Sequence, residues 1–281
     1  MRQDPATQRL LAELWGRDER YYELARDHVR QSAAAGNEYG FLDRLLPAAG
    51  AILEVGCGEG SNIRVLSKPG RVFFGCDLST LGIAMARREG AEYASRLLAA
   101  DAGALPFGRG TFSATFAVSV IEHLPDPERV IDEMIGALAP GGRLLLVSPQ
   151  YGGPLGASPC RRVGGASRFV KRLASAHLPS RDASRLGWDR VDPAVLDGVT
   201  YEGDRDVVVE PELRSLVRFL GGRGMKIVEA TSGYEWHSWI RSGGTTAQRI
   251  ARRALEPLGV AGIPPYRSFG PLIALAAEKP R

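Results

Sequence analysis

The sequence predicts an α/β chain built on a doubly wound, mostly parallel sheet of seven strands. Three observations predict it. Short apolar runs alternate with amphipathic segments from Ala51 to Pro149, the rhythm of strand, crossover helix and strand. The runs are apolar almost throughout, as strands covered on both faces require. A loop with three glycines, Gly56, Gly58 and Gly60, follows the first run, in the position where open parallel sheets receive ligands.

Residues 7–35 read as one helix, because Leu10, Leu11, Leu14, Trp15, Tyr22 and Leu24 recur at helical spacing and Gly36 closes the run. Ala51 to Val55 is the first strand, apolar but for Glu54. Ser61 or Asn62 can cap a helix ending near Ser67, and "RVFFGCD" forms a second strand that finishes at Asp77. "LGIAMARREGAE" is then helical, "RLLAADA" a third strand and "FSATFAVSV" a fourth. "DPERVIDEMIGALAP" is a helix with Pro127 in its first turn, and "GRLLLVSP" a fifth strand entered through Gly141 and Gly142. After Pro149 the rhythm stops for about sixty residues rich in Gly, Ser, Arg and Pro. The helix "EPELRSLVRFLGGRG" and the sixth strand "MKIVEATSG" follow. A second irregular stretch holds the helical "TTAQRIARRALEPL" and leads to the last strand, "GPLIALAAEKP". The expected organisation is a helical cap over 1–40 and one domain over 41–281. Two insertions interrupt that domain, 151–206 as a substrate lid and 234–268 as an irregular segment.

No run approaches the roughly eighteen apolar residues of a membrane span, and the N-terminus is too charged for a signal-peptide core. A soluble, cytoplasmic protein is expected. Cys57, Cys76 and Cys160 are odd in number and lack metal-ligand spacing, which argues for reduced, packed thiols and no metal. The net charge of +4 is mild, but residues 160–190 carry eight Arg or Lys against two Asp.

The loop "ILEVGCGEGSN" (52–62) must be distinguished from the dinucleotide fingerprint G-x-G-x-x-G. Counted from Gly56 the third glycine would be Ser61, and from Gly58 it would be Ile63, so both registers fail. The pattern present, E-x-G-x-G-x-G, resembles motif I of class I S-adenosylmethionine-dependent methyltransferases, whose ligand has no pyrophosphate. Asp77 matches the acid that accepts both ribose hydroxyls in that family, and a carboxylate is the natural bidentate acceptor for a cis-diol. Asp101 with Ala102 matches the pair that reads the adenine, and "ALPF" (104–107) follows as it often does there. "SVIEHLPDPERV" is close to the wording of the small-molecule, quinone and lipid methyltransferases. The resemblance covers about residues 40–150. It implies a Rossmann-like methyltransferase fold and S-adenosylmethionine as cofactor, with S-adenosylhomocysteine as product. The implied cofactor-binding set is Glu54, Gly56, Cys57, Gly58, Gly60, Asp77, Leu78, Asp101, Ala102 and Ser119. Glu54 in this family acts through water or loop amides near the methionyl amino group. One departure is Ser113, where many relatives carry Asp.

Taken singly, Asp77 also suits a strand-end cap, Asp101 a turn acid and Cys57 a filler; together with the loop they favour the cofactor. His123 follows the fourth strand and is the candidate catalytic base, with a structural hydrogen bond as its other reading. Tyr151, His177 and Trp236 are the candidate substrate contacts. His177 shares a helical face with Phe169 and Leu173, and Trp236 belongs to the aromatic cluster "YEWHSW" (234–239). The expected reaction is methyl transfer to a small-molecule, glycan or lipid-like acceptor, with the basic segment leaving room for an anionic one. The alternatives are an NAD(P)-dependent oxidoreductase and a non-catalytic binding module on the same fold. Nucleic acid is disfavoured, because an Asn/Asp-Pro-Pro-aromatic stretch is missing after the fourth strand and the charge falls short of a broad basic surface.

Overall fold

The computed structural model describes residues 5–35, 38–156, 158–160, 170, 172, 182–191, 204–232, 246–261, 263 and 266–281. Helices α1 (Pro5–Trp15), α2 (Arg20–Ala35) and α3 (Glu38–Leu45) precede β1 (Gly50–Val55). Then come α4 (Ser61–Leu66), β2 (Arg71–Asp77), α5 (Thr80–Arg88), β3 (Leu97–Ala99), β4 (Phe112–Val118), α6 (Pro127–Ala137) and β5 (Leu138–Pro149). The remainder comprises β6 (Asp189–Arg190), β7 (Val209–Glu210), α7 (Leu213–Gly222), β8 (Lys226–Thr231), α8 (Thr246–Val260) and β9 (Leu272–Glu278).

Seven strands form one sheet in the order β3-β2-β1-β4-β5-β9-β8, while β6 and β7 pair separately as a short antiparallel ribbon. β1 runs parallel to both β2 and β4, and β2 parallel to β3. Strand order therefore reverses at β1, the switch point of a doubly wound sheet. β9 runs back along β5: Gly141 and Gly142 exchange hydrogen bonds with Lys279 at one end, and the Gln150 amide donates to the Pro271 carbonyl at the other.

By internal contacts the chain divides into two compact units. Unit 1 comprises Met1–Val120, Leu124–Leu146 and Ala276–Arg281, and unit 2 comprises Ile121–His123 and Val147–Leu275.

In unit 1, Ile52, Leu53, Val55, Phe73, Phe112, Ala114 and Phe116 are buried on the central strands. The stretch expected as one helix over 7–35 is two. The Gly16 amide bonds back to Ala12 and the Arg17 amide to Leu14, so the first helix tightens and ends. The exposed Trp15 carbonyl then accepts from the Tyr22 hydroxyl at 3.2 Å and the Ser79 hydroxyl at 3.4 Å. β3 is shorter than the predicted strand because Asp101 turns the chain, accepting the Gly103 amide on its side chain and the Ala104 amide on its carbonyl. Neither Ser61 nor Asn62 caps α4. Gly60 occupies that position in the left-handed region, and the carboxylate of Glu59 accepts the Ser61 amide.

In unit 2, α7 starts at Glu212, whose carboxylate accepts the Arg214 and Ser215 amides, the expected geometry of an acidic N-cap. Its buried Leu213, Leu216, Phe219 and Leu220 recur at helical spacing on one face. The Gln150 side chain, just past β5, donates to the carbonyls of Ser268 and Gly270 and accepts the Leu213 amide. Arg172, from the basic segment 160–190, is spent internally. It donates to the Tyr151 and Gly156 carbonyls and pairs with Asp189 and Glu210.

Candidate cofactor site and a buried histidine cluster

The glycine loop of unit 1 leaves β1 through three left-handed residues, with φ of 74° at Gly56, 51° at Gly58 and 85° at Gly60, where a side chain costs about 1–2 kcal/mol. It is tied to β2, since the amides of Gly56 and Cys57 both donate to the Cys76 carbonyl. From sequence the glycines were expected to clear space for a ligand. The structure adds a different demand: a Cβ on Gly56 would stand 2.3 Å from Val120, one on Gly60 2.3 Å from Tyr93, and one on Gly58 3.3 Å from Tyr22. The positions are therefore bare because protein side chains pack against them. Cys57 is buried and burial pushes its thiol well above the usual range, in keeping with a filler.

Two acids flank this loop. Asp77 ends β2 and accepts the Gly58 amide on Oδ2 at 2.7 Å and the Ser79 amide on Oδ1 at 2.8 Å. Burial raises its pKa, opposed by amide donors from Ser79, Gly58 and Leu78. The two oxygens offer four acceptor sites against these three amides, which leaves acceptor capacity for a ligand hydroxyl. Glu54 is fully buried. Its Oε1 accepts from Asn62 at 2.6 Å, whereas Oε2 has no hydrogen-bond partner among the described residues. Burial pushes this carboxyl well above the ordinary range, against the pull of Asn62. Asn62 in turn accepts the Tyr39 hydroxyl, so α3 orients Glu54 through one amide. These groups fit an adenosyl amino acid: a carboxylate acceptor for a diol at one end and a buried carboxyl oxygen with no partner among the described residues, suited to an ammonium group, at the other.

The helical cap is fastened to the loop. The Tyr22 ring lies against Gly58 and Gly82, and Arg26 pairs with Glu59 at 2.9 Å and Glu89 at 2.7 Å. Sequence reading missed Tyr22, Arg26 and Tyr39 as neighbours of the loop, although an aromatic and an Arg one helical turn apart at 22 and 26 were a usable signal. Asp101 and Ala102 lie half-buried in the turn after β3, and Leu78 is half-buried after β2. Ser119 is half-buried just beyond β4 with a φ of 53°. Ser113 replaces the usual acid without leaving a gap, its hydroxyl donating to the Ala51 carbonyl.

Unit 2 holds a second constellation. His123 ends the 3₁₀ turn Ile121–His123 and is buried. Its Nδ1 lies 3.2 Å from the Asp206 carbonyl, which can only accept, so Nδ1 carries hydrogen. Its Nε2 lies 3.4 Å from Asp204 Oδ1 and 3.8 Å from Glu122 Oε1, and the Asp206 carboxylate is 3.6 Å from Nδ1. Tyr151 is buried and donates to Asp204 Oδ2, while Ser148 donates to Glu122 Oε2 at 3.0 Å. Burial would lower the histidine pKa, but Asp206, Glu122 and Asp204 outweigh it and lift it to about 9. Burial carries Glu122 up to about 8 and Asp204 to about 6, with the imidazolium opposing both rises. The cluster thus shares protons among His123, Glu122 and Asp204. Asp204 and Asp206 were missed from sequence. The D-x-D spacing before "VVV" was a signal, since alternate residues of an extended segment share a face. His177 and Trp236, with Tyr234, His237 and Trp239, lie outside the described residues.

Residues 53–146 match the family model described as a methyltransferase domain. A methyltransferase of Streptomyces halstedii, GfsG, is 36% identical over 110 residues, which are 37% of this chain and 40% of that protein. The ubiquinone biosynthesis O-methyltransferase of Xylella fastidiosa is 31% identical over 110 residues, 38% of this chain and 45% of its own length. The chain thus spans less than half the length of these relatives. An S-adenosylmethionine-dependent methyltransferase structure from Mesorhizobium loti shares the fold, with a TM-score of 0.56 at 18% identity over 86% of this chain and 97% of the other. Loop, acids, sheet order and sequence similarity converge: residues 53–146 match the methyltransferase-domain family, on a fold shared with S-adenosylmethionine-dependent methyltransferases.

Proposed function

We propose that the chain transfers the methyl group of S-adenosylmethionine to a small-molecule or lipid-like acceptor. The observation that carries this reading is the pair of acids flanking the glycine loop, Asp77 with acceptor capacity left and Glu54 with a buried oxygen lacking a partner among the described residues. When bound, the cofactor supplies an electrophilic methyl group on a sulfonium that is its own leaving group. The chain's own residues bind and orient. Asp77 receives the ribose hydroxyls, Glu54 the methionyl ammonium, and the turn at Asp101 and Ala102 the adenine edge. Positioning of reacting atoms is worth about 7–11 kcal/mol in favourable cases. His123, the candidate base from sequence, is assigned no proton-accepting step, because its Nδ1 faces the Asp206 carbonyl and its Nε2 faces Asp204 and Glu122.

Similarity to a ubiquinone biosynthesis enzyme supports a small, lipid-like acceptor. Arg172 is already engaged by carbonyls and acids, so the cationic surface available to an anionic acceptor is smaller than the residue count implies. None of the described helices is long and apolar enough to cross a membrane. We take the protein to work in the cytoplasm, a reading supported by three free cysteines.

Thermal shift with S-adenosylmethionine, S-adenosylhomocysteine and NAD tests the reading. Stabilisation by the first two and none by NAD is expected, and the reverse would return the oxidoreductase. Methyl transfer is then followed on a panel of phenols, quinols and lipid acids; tight cofactor binding with no turnover on any of them would favour a binding module.

A further inference from the structure

We propose that Glu122, His123 and Asp204 form a binding site for a divalent transition ion, Zn²⁺ or Mn²⁺. Three inner atoms converge: His123 Nε2, Asp204 Oδ1 and Glu122 Oε1 all lie within 4.8 Å of one another. Each residue spends its other polar atom on an outer hydrogen bond. His123 donates from Nδ1 to the Asp206 carbonyl, Asp204 Oδ2 accepts from Tyr151, and Glu122 Oε2 accepts from Ser148. This is the arrangement that outer partners impose on metal ligands, fixing the imidazole tautomer and turning one donor atom of each side chain inward.

A second observation points to an occupant. Glu122 is 0% exposed and its Oε1, aimed at Nε2 from 3.8 Å, has no hydrogen-bond partner among the described residues. Such an oxygen is costly to bury without a counter-charge. Asp206 adds a third carboxylate 3.6 Å from the ring, so the imidazole alone cannot balance the negative charge when the acids are ionised. Ligand atoms about 2.0–2.2 Å from a tetrahedral ion stand about 3.3–3.6 Å apart. The 3.4 and 3.8 Å separations from Nε2 therefore need only small rotamer adjustments to close on an ion. One imidazole nitrogen with two carboxylate oxygens suits Zn²⁺ or Mn²⁺ better than Mg²⁺ or Ca²⁺, which take all-oxygen sets. Three protein ligands leave a coordination position open for water or an oxygen-bearing ligand. All three ligands belong to unit 2.

The test is calorimetric titration of chelator-treated full chain with Zn²⁺, Mn²⁺ and Mg²⁺, repeated on Asp204→Asn, Glu122→Gln and Tyr151→Phe, with far-UV circular dichroism to check folding. One equivalent of Zn²⁺ or Mn²⁺ should bind, at least 100-fold more weakly in the two carboxylate variants and about 10-fold more weakly in Tyr151→Phe. Should Glu122→Gln not fold, Asp204→Asn and Tyr151→Phe decide. Co²⁺ bound in place of Zn²⁺ should give ligand-field bands without a thiolate charge-transfer band. Absence of binding at millimolar Zn²⁺ and Mn²⁺, preference for Mg²⁺, unchanged affinity in the folded variants, or a thiolate band from nearby Cys160 would each overturn the assignment.

Discussion

The acids beside the glycine loop in unit 1 and those around His123 in unit 2 meet opposite fates. Asp77 is met by main-chain amides of Gly58 and Ser79, and Glu54 by one side-chain amide; each is oriented by neutral donors and left with acceptor capacity. Glu122, Asp204 and Asp206 instead crowd one imidazole. Neutral donors fix a carboxylate in place while leaving its charge available to a ligand. Acids gathered around one ring must share a cation, whether proton or metal. The first arrangement makes a rigid receptor and the second an ion-dependent one.

Four substitutions break or sharpen that contrast. Gly56→Ala should be the most damaging, because it combines a φ of 74° with a Cβ 2.3 Å from Val120. A loss of about 2–4 kcal/mol is expected in urea denaturation, and a neutral outcome would mean that the loop is not held by packing. Asp77→Ala should weaken S-adenosylmethionine about 10–100-fold by calorimetry, the worth of about one charge-assisted hydrogen bond, with the circular dichroism spectrum retained. Unchanged affinity would remove the ribose from this acid. In unit 2, Ser148→Ala strips Glu122 Oε2 of its donor and should cost about 1–2 kcal/mol of stability; no loss would show that the acid has another way to be satisfied.

The smallest effect concerns pH. Burial raises the Glu54 pKa in the folded chain, so the folded state holds this proton more tightly than the unfolded one. Stability from this group is complete below the unfolded value near 4.5 and declines as pH climbs toward the folded value, by less than about 1.4 kcal/mol per pH unit. Between about pH 5 and pH 8, without cofactor, wild type should lose more stability than Glu54→Gln. Parallel profiles would mean that Glu54 is ionised in the apo protein.

The cofactor end of the molecule was legible because its parts lie close in the chain. β1, the loop and Asp77 occupy fewer than thirty consecutive residues, and their geometry follows from strand periodicity and the left-handed freedom of glycine. Elsewhere the reading was coarser. The break between α1 and α2 depends on the Trp15 carbonyl finding Tyr22 and Ser79, and Ser79 lies far along the chain. Asn62 was read as a helix cap, whereas its amide turns inward between Tyr39 and Glu54. Arg172 was counted in the basic segment left for an anionic acceptor, yet Glu210 and Asp189 claim it.

What the sequence by itself determined is local: where strands and helices alternate, which loop needs bare backbone, and which acid ends the second strand. Those follow from steric rules and periodicities that act over a few residues. Only the tertiary structure decided which carboxylates surround His123, which donors orient them, and which side chains fill the space beside the loop glycines. Coulombic and hydrogen-bond energies depend on distance through space, and here residues 122–123, 148–151 and 204–206 come together only when the chain has folded.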